Sequence, residues 1–395
     1  MGDRARLQVS GLEAGVVAVS AKTTWIVLRA TLSDGSEGFG EATRFGAEEA
    51  VLAEAASARE LLVGRRLSLP GGALAALRTA HGSDAREAVA SAVEQALNDA
   101  LARRAGLSLG QLLGGNHRDA VPAYANINRG TLDRSPAGFA ERARTVCAEH
   151  GYRAVKIAPF DGLDWRRAGA FEARRLLSAG VERILAVRDA LGREPLLLVD
   201  CHGRLSPPLA REVLRATEGA GLFWLEDALD EGAFDDPALR ALRAAAHDRS
   251  VRIAGGEKLA SPGDMRAWLA RGGHDVALPD LRLTGLRRGM AMLEAAAAAG
   301  VEVSLHNPVG PVLDAVSLQV AAALPSFLIL EGQVGESPLF DAVGGGRPAL
   351  VEGARPVPSG PGIGLAPRLR FGAEAEALPA RVASFAGMAG AGADG

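Results

Sequence analysis

Between Lys156 and Glu331, chemically active residues recur at the ends of short apolar runs, and their spacing constrains the fold more than any other feature of the chain. The runs are Arg153-Ala-Val-Lys156, Leu196-Leu-Leu-Val-Asp200-Cys-His202, Leu222-Phe-Trp-Leu-Glu226-Asp227, Val251-Arg-Ile-Ala-Gly-Gly-Glu257, Asp275-Val-Ala-Leu-Pro-Asp280, Val303-Ser-Leu-His306 and Phe327-Leu-Ile-Leu-Glu331. From Asp200 onward the steps are 26, 31, 23, 26 and 25 residues. Each step holds one loop, one helix and the return to a parallel strand. The polar residues then end successive strands, and in a closed barrel those ends form one mouth, where such barrels carry their active sites.

The chain has 395 residues, and a barrel of about 250 leaves room for a second, smaller unit. Residues 1–118 read as an α+β capping domain, 119–340 as a (β/α)7β barrel, and 341–395 as a C-terminal segment. In the cap, residues 6–43 read as strands with a hairpin turn at Asp34-Gly35. Helices follow over Ala47–Val63 and Ala85–Ala105, both rich enough in alanine for close packing. Val121–Asn126 reads as the first barrel strand and Ser135–His150 as its helix. Trp165–Leu191 reads as a helical region broken at Gly180. The remaining helices are expected over Pro207–Ala216, Asp235–Ala246, Pro262–Ala270, Arg287–Ala299 and Val312–Ala323. Ser206 before Pro207 suits a helix start, a capping hydroxyl followed by proline. No Gly-x-Gly-x-x-Gly turn follows any strand, which disfavours an open dinucleotide-binding sheet. Residues 386–395, rich in Gly and Ala, read as disordered.

A net charge of −3 and the lack of any long basic run exclude nucleic acid as the expected partner. No apolar run reaches the roughly 18 residues of a membrane helix, and the N-terminus lacks the apolar core of a signal peptide. The two cysteines, Cys147 and Cys201, read as unpaired thiols of a reducing compartment. A cytoplasmic enzyme is expected, acting on a small molecule and assembled as a homo-oligomer.

Asp200, Glu226 and Glu257 end three consecutive strands, so their carboxylates are expected to converge. Three carboxylates at one point repel, and a divalent cation relieves the repulsion. Ligation by oxygen without cysteine favours Mg²⁺ over Zn²⁺. Asp280 and His306 end neighbouring strands, roughly 4.8 Å apart. An Asp beside a His fixes the imidazole tautomer and raises its basicity, a dyad suited to taking a proton. His202, two residues past Asp200 and on the same side of the pleat, is a second imidazole and a candidate general acid. Glu331 ends the eighth strand and is placed either to hydrogen-bond near the bound substrate or to serve as a structural acid paired with a neighbouring cation. Lys156 is expected to be partly buried, and Ala158 two residues on carries no functional group.

At these residues the chain resembles the enolase superfamily, and within it the mandelate racemase group. The resemblance implies the fold described above, with the C-terminal segment returning to the cap. It implies Mg²⁺ ligation by Asp200, Glu226 and Glu257, an Asp280–His306 dyad, and Glu331 as the acid of the last strand. Racemases of that group carry Lys-x-Lys on the second strand, whereas this chain has Lys156-Ile157-Ala158. The Asp200-Cys-His202-Gly-Arg204 stretch and the His306-Asn-Pro-Val-Gly310-Pro311 stretch are similar to acid-sugar dehydratases of the galactonate dehydratase type. A Gly-Gly pair common after the sixth strand is here Gly285-Leu286. The resemblance thus implies loss of a proton next to a carboxylate and elimination of the 3-hydroxyl, giving a 2-keto-3-deoxy acid. Racemisation, epimerisation or cycloisomerisation on the same scaffold is the alternative, and a non-catalytic binding relative a third.

Overall fold

The computed structural model describes residues 7–65, 68, 70–78 and 83–371. The glycine-rich 386–395 tail lies outside the described residues.

The cap opens with strands β1 (Val9–Ala18), β2 (Thr24–Leu32) and β3 (Glu37–Glu41), followed by helices α1 (Glu48–Leu62), α2 (Gly71–Leu77), α3 (Asp84–Ala105) and α4 (Leu109–Leu112). Its three strands form an antiparallel meander. The β2–β3 hairpin turns where Asp34-Gly35 directs it, with Gly35 at φ +86°. Alanine on α3 allows the backbones to touch: a Cβ at Gly38 or Gly40 would stand 2.1 Å from the Ala96 carbonyl or 2.0 Å from that of Ala92. Glycine in the strand and alanine in the helix are two halves of one close contact.

The barrel alternates β4 (Ala120–Asn126), α5 (Pro136–His150), β5 (Ala154–Ile157), α6 (Ala170–Leu191), β6 (Leu196–Asp200), α7 (Pro207–Ala216), β7 (Leu222–Glu226), α8 (Asp236–His247), β8 (Arg252–Gly255), α9 (Pro262–Arg271), β9 (Val276–Ala277), α10 (Leu281–Ala298), β10 (Glu302–Val303), α11 (Pro311–Ala323) and β11 (Leu330–Gln333). Each barrel strand runs parallel to its neighbours from β10 round to β4 and on to β11. A parallel bridge between Leu305 and Leu330 joins the two ends of that order. The result is the (β/α)7β architecture with an α+β cap. Tyr124, Leu198, Trp224, Ala254, Val276 and Leu278 fill the interior.

Local differences from the sequence reading have physical causes. Helix α6 runs unbroken through Gly180, because an added Cβ there would meet the Phe160 ring at 2.3 Å. That glycine serves close packing and not a helix end. Ser206 precedes α7 but makes no side-chain cap bond. Pro207 nonetheless stands at the first helical position, as expected. Helix α10 begins at Leu281, earlier than Arg287, with a break at Gly285, whose φ is +69°. Glu94 of the cap accepts from Leu286 N–H at 3.1 Å and Arg287 N–H at 3.2 Å, restarting the helix after that break.

After β11 come α12 (Leu339–Gly344) and β12 (Ala354–Pro356), which pairs antiparallel with the start of β4. The chain then meets the cap, where Ile363 N–H donates to Asp99 Oδ1 at 2.8 Å and Phe371 lies against Phe39. Arg355 of β12 forms a buried two-pronged pair with Asp314 of α11, at 2.8 Å and 2.5 Å. Asp314 also accepts from Asn307 Nδ2 at 3.1 Å, next to His306. The C-terminal segment therefore braces the loop after β10. Breaking a buried pair from one side leaves an uncompensated charge, so Arg355→Met is expected to cost about 3–5 kcal/mol in urea unfolding. Asp314→Leu combined with Arg355→Met is expected to cost less than the single change.

Candidate active site

The polar residues of the repeating runs gather at the C-terminal ends of the barrel strands. Lys156, Asp200, Glu226 and Glu331 stand within β5, β6, β7 and β11. The other three lie beyond their strands. Glu257 follows β8 by two residues, Asp280 is the N-cap of α10, and His306 follows the two-residue β10. The ladder ends early there, and the turns carry the side chains the rest of the way to the mouth.

Lys156 is fully buried, not partly buried as the sequence pattern suggests. Its Nζ lies 2.7 Å from Glu226 Oε1, 3.1 Å from Glu331 Oε1 and 4.0 Å from Asp200 Oδ2. Burial disfavours its charge, but Glu226 and Glu331 outweigh that and hold its pKa well above the ordinary lysine value. Lys156 is thus a fixed cation. Glu331 accepts from Asn126 Nδ2 at 2.6 Å and, through its other oxygen, from Asn307 N–H at 2.7 Å. Both oxygens are engaged in holding the floor of the site.

Asp200 and Glu226 are register partners across β6 and β7. Burial pushes the Glu226 carboxyl up to about 8, aided by Asp200 and Glu331 and opposed by Lys156. Glu226 Oε2 is buried and has no hydrogen-bond partner. Asp227, also buried, is raised well above the ordinary range by burial first and then by Glu257, Glu231, Asp200 and Glu226. Negative charge therefore exceeds what Lys156 neutralises. Among the described residues no three of His, Cys, Asp and Glu gather closely enough to grip one ion. Asp200 instead meets His202 Nε2 at 3.1 Å, and Glu257 meets His306 Nε2 at 3.0 Å.

Asp280 and His306 form the expected pair, Oδ2 to Nδ1 at 2.8 Å. Burial disfavours the imidazolium, but Glu257 and Asp280 override it and set the His306 pKa at about 9. His202 lies past the end of β6, where the pleat no longer governs direction, at φ +50° in the left-handed region. Asp227, the first residue after β7, adopts φ +41°. Side chains other than glycine are held in such conformations chiefly at functional sites, at a cost of about 1–3 kcal/mol each. The His202 ring is half exposed at the rim, and the Asp200 charge raises its pKa against the effect of burial.

Sequence reasoning missed Arg282. Its guanidinium grips Asp280 through Nε at 2.9 Å and through Nη2, and it reaches His306 Nδ1 at 3.5 Å. Two residues apart on a helix do not face one another. Asp280 escapes that rule because, as N-cap, it has extended backbone angles. Phe45, in the cap loop after Thr43, lies over both Arg282 and Arg129, at 5.2 Å and 4.3 Å. Ser20 donates to Glu336 at 2.8 Å, so the other cap loop also meets the barrel. Two cap loops therefore reach the barrel.

Residues 138–370 match the family described as enolase C-terminal domain-like, and residues 12–114 match the mandelate racemase / muconate lactonizing enzyme N-terminal domain. The chain belongs to the enolase superfamily, in its mandelate racemase group. It is 36% identical over 294 residues to a D-gluconate dehydratase of Thermoproteus tenax, an alignment covering 74% of this chain and 57% of that protein. The chain thus spans little more than half the length of that relative. It is 27% identical to a D-xylonate dehydratase of Haloferax volcanii, across 88% of this chain and 84% of the other. A D-galactonate dehydratase of Variovorax paradoxus is 28% identical, across 79% and 78%. Among solved structures, a mandelate racemase/muconate lactonizing enzyme from Jannaschia sp. CCS1 superposes with a TM-score of 0.78 at 25% identity, covering 91% of this chain and 95% of that one. An enolase superfamily member from Salmonella Typhimurium gives 0.78 at 21% identity, covering 94% and 97%.

Glu257 supplies much of the charge that keeps His306 protonated. In chelator-treated protein the His306 ring is expected to titrate near about 9 in long-range ¹H–¹⁵N spectra. Removing the charge with Glu257→Gln is expected to lower that midpoint, and an unchanged midpoint would contradict the assigned pairing.

Proposed function

We propose that the protein is an acid-sugar dehydratase, removing the proton next to a carboxylate and expelling the 3-hydroxyl to leave a 2-keto-3-deoxy acid. One observation carries this reading: Lys156 is locked between Glu226 and Glu331, and Ala158 offers nothing. The second strand then has no free base, and the proton-moving groups left at the mouth are two imidazoles. That arrangement suits an elimination, with one base and one acid, better than a racemisation that needs a second base at that strand. The names of the three relatives, all acid-sugar dehydratases, support the same choice.

The donor types fit a divalent cation, although Glu257 stands on His306 and the three acids do not meet at one point until it turns inward. Glu226 presents a buried oxygen with no partner, Asp200 stands beside it, and Glu257 adds a third carboxylate at the mouth. Hard oxygen donors of this kind suit Mg²⁺. Bound there by Asp200, Glu226 and Glu257, it would supply positive charge against the negative charge growing on the substrate carboxylate. Enolase-superfamily sites with a Lys or His base and Mg²⁺ are a worked case of this chemistry, so that pairing is general knowledge and not special to this chain.

The protein groups then divide the proton transfers. Asp280, ionised and able only to accept, takes the Nδ1–H of His306 and leaves Nε2 as the basic nitrogen. With Glu257 engaged in holding the cation, its charge would no longer keep the imidazole protonated, and the neutral His306 Nε2 removes the α-proton, the electron pair of that C–H bond becoming the new C=C bond. His202, at the rim and with its pKa raised by Asp200, gives its proton to the 3-hydroxyl, which leaves as water. The enol then tautomerises to the ketone. Arg282 holds Asp280 in place, while Glu331 fixes the backbone after His306 through Asn307. The left-handed turn at His202 lets its ring fold back onto Asp200.

With Mg²⁺ and a panel of aldonic and aldaric acids, the purified protein is expected to form semicarbazide-reactive ketoacid from at least one. His306→Asn is expected to abolish both ketoacid formation and exchange of the α-proton with D₂O. His202→Asn is expected to slow ketoacid formation by about 10²–10⁴-fold and to leave α-exchange detectable. Exchange without loss of water in the unaltered protein would point to racemisation or epimerisation. No product across a broad panel would count against the proposal.

A further inference from the structure

A cavity of 640 Å³ lies between α5 and the segment that follows β11. None of Lys156, Asp200, Glu226, Glu257, Asp280 and His306 lines it. Its wall holds an unusual set of polar groups. Gln333, at the end of β11 and 5% exposed, has neither its Oε1 nor its Nε2 hydrogen-bonded. The Tyr152 hydroxyl, on a residue 3% exposed, is also without a partner, and so are the Nε atoms of Arg142 and Arg347.

Buried polar groups in folded proteins are almost always paired, so this many orphans around one cavity call for a ligand. The charge points the same way. Among the described residues Arg142 makes no hydrogen bond or ion pair, and Arg347 donates only to the Gln333 carbonyl, at 2.6 Å, while its guanidinium lies 3.6 Å from the Phe340 ring centroid. Glu149, Glu336 and Asp341 also line the cavity, but none pairs with either arginine among the described residues, and Glu336 is already held by Arg129 at 3.3 Å and Ser20 at 2.8 Å. Gly335, at φ +75°, has no side chain, and the Arg142 head occupies the room a Cβ would take. The turn after β11 is thereby built around that guanidinium.

We propose that this cavity binds a small hydroxylated oxyanion, a carboxylate or phosphate ester, at a site separate from the barrel mouth. The two guanidinium groups match the planar or tetrahedral oxygens of such an anion. The Tyr152 hydroxyl and Gln333 Nε2 add donors, and Gln333 Oε1 accepts from a ligand hydroxyl. Because Gln333 ends the strand that carries Glu331, and α5 leads into the strand that carries Lys156, an occupied cavity would lie directly behind two elements of the mouth.

Isothermal titration of the full chain in the presence of Mg²⁺ tests this, with D-gluconate as the carboxylate probe and glycerol 3-phosphate as the phosphate probe. At least one is expected to bind saturably. Arg142→Met and Arg347→Met are each expected to weaken that binding about 10- to 100-fold, the loss of one charge-assisted contact. Gln333→Glu, nearly isosteric, puts a negative charge beside the anion and is expected to weaken it as well, which keeps the test open if an arginine variant fails to fold. His306→Asn, at the mouth, is expected to leave it unchanged. The probe that binds identifies the anion class. No saturable binding of either probe, equal binding by the three cavity variants, or loss of binding in His306→Asn would each overturn the proposal.

Discussion

The structure depends on how a group of buried carboxylates is kept from driving itself apart. Asp200, Glu226, Asp227 and Glu331 all lie out of water near one end of the barrel. A buried charge without a partner costs several kcal/mol, so each must be neutralised, protonated or matched by a cation. Lys156 answers part of this demand from the centre, and Asn126 with the Asn307 N–H answers part from the side. What they leave is concentrated on Glu226, whose second oxygen stands alone, and on Asp227.

The same demand organises the periphery. Asp280 is shared between Arg282 and His306, so the base of the dyad and its charge partner are fixed together. Arg282 in turn lies under Phe45 of the cap. Asp314 ties the His306 loop to β12 through Arg355, and Glu94 of the cap restarts α10 beyond Asp280. Cap, barrel and C-terminal segment therefore meet through buried charges as well as apolar packing. A change in any one of these pairs is felt close to the dyad.

Much of this was legible before any coordinates, because strand ends in a parallel barrel leave a periodic mark. Asp200 and Glu226 close apolar runs and do stand at strand ends, Glu331 stands near the start of β11 instead of its end, and the Asp280–His306 contact followed from their neighbouring runs. Other features left no such mark. The role of Gly180 as a seat for Phe160 looks in sequence like a helix break. The absent cap bond at Ser206 depends on the direction of one hydroxyl. Short pieces such as α2, α4 and β12 carry too few residues for a period to show.

By itself the sequence determined which residue types reach the mouth and in what order, since alternation of strand and helix is written in local hydrophobic spacing. It also determined that the second strand has one lysine and not two. Tertiary structure alone decided what that lysine does: only once β5, β7 and β11 lie around one interior is Lys156 trapped between Glu226 and Glu331. It alone decided that Arg282 grips Asp280 and that Arg142, Tyr152, Gln333 and Arg347 surround one cavity. Those groupings join residues far apart in the chain or set by a turn, and no local periodicity encodes the direction in which a side chain leaves a turn.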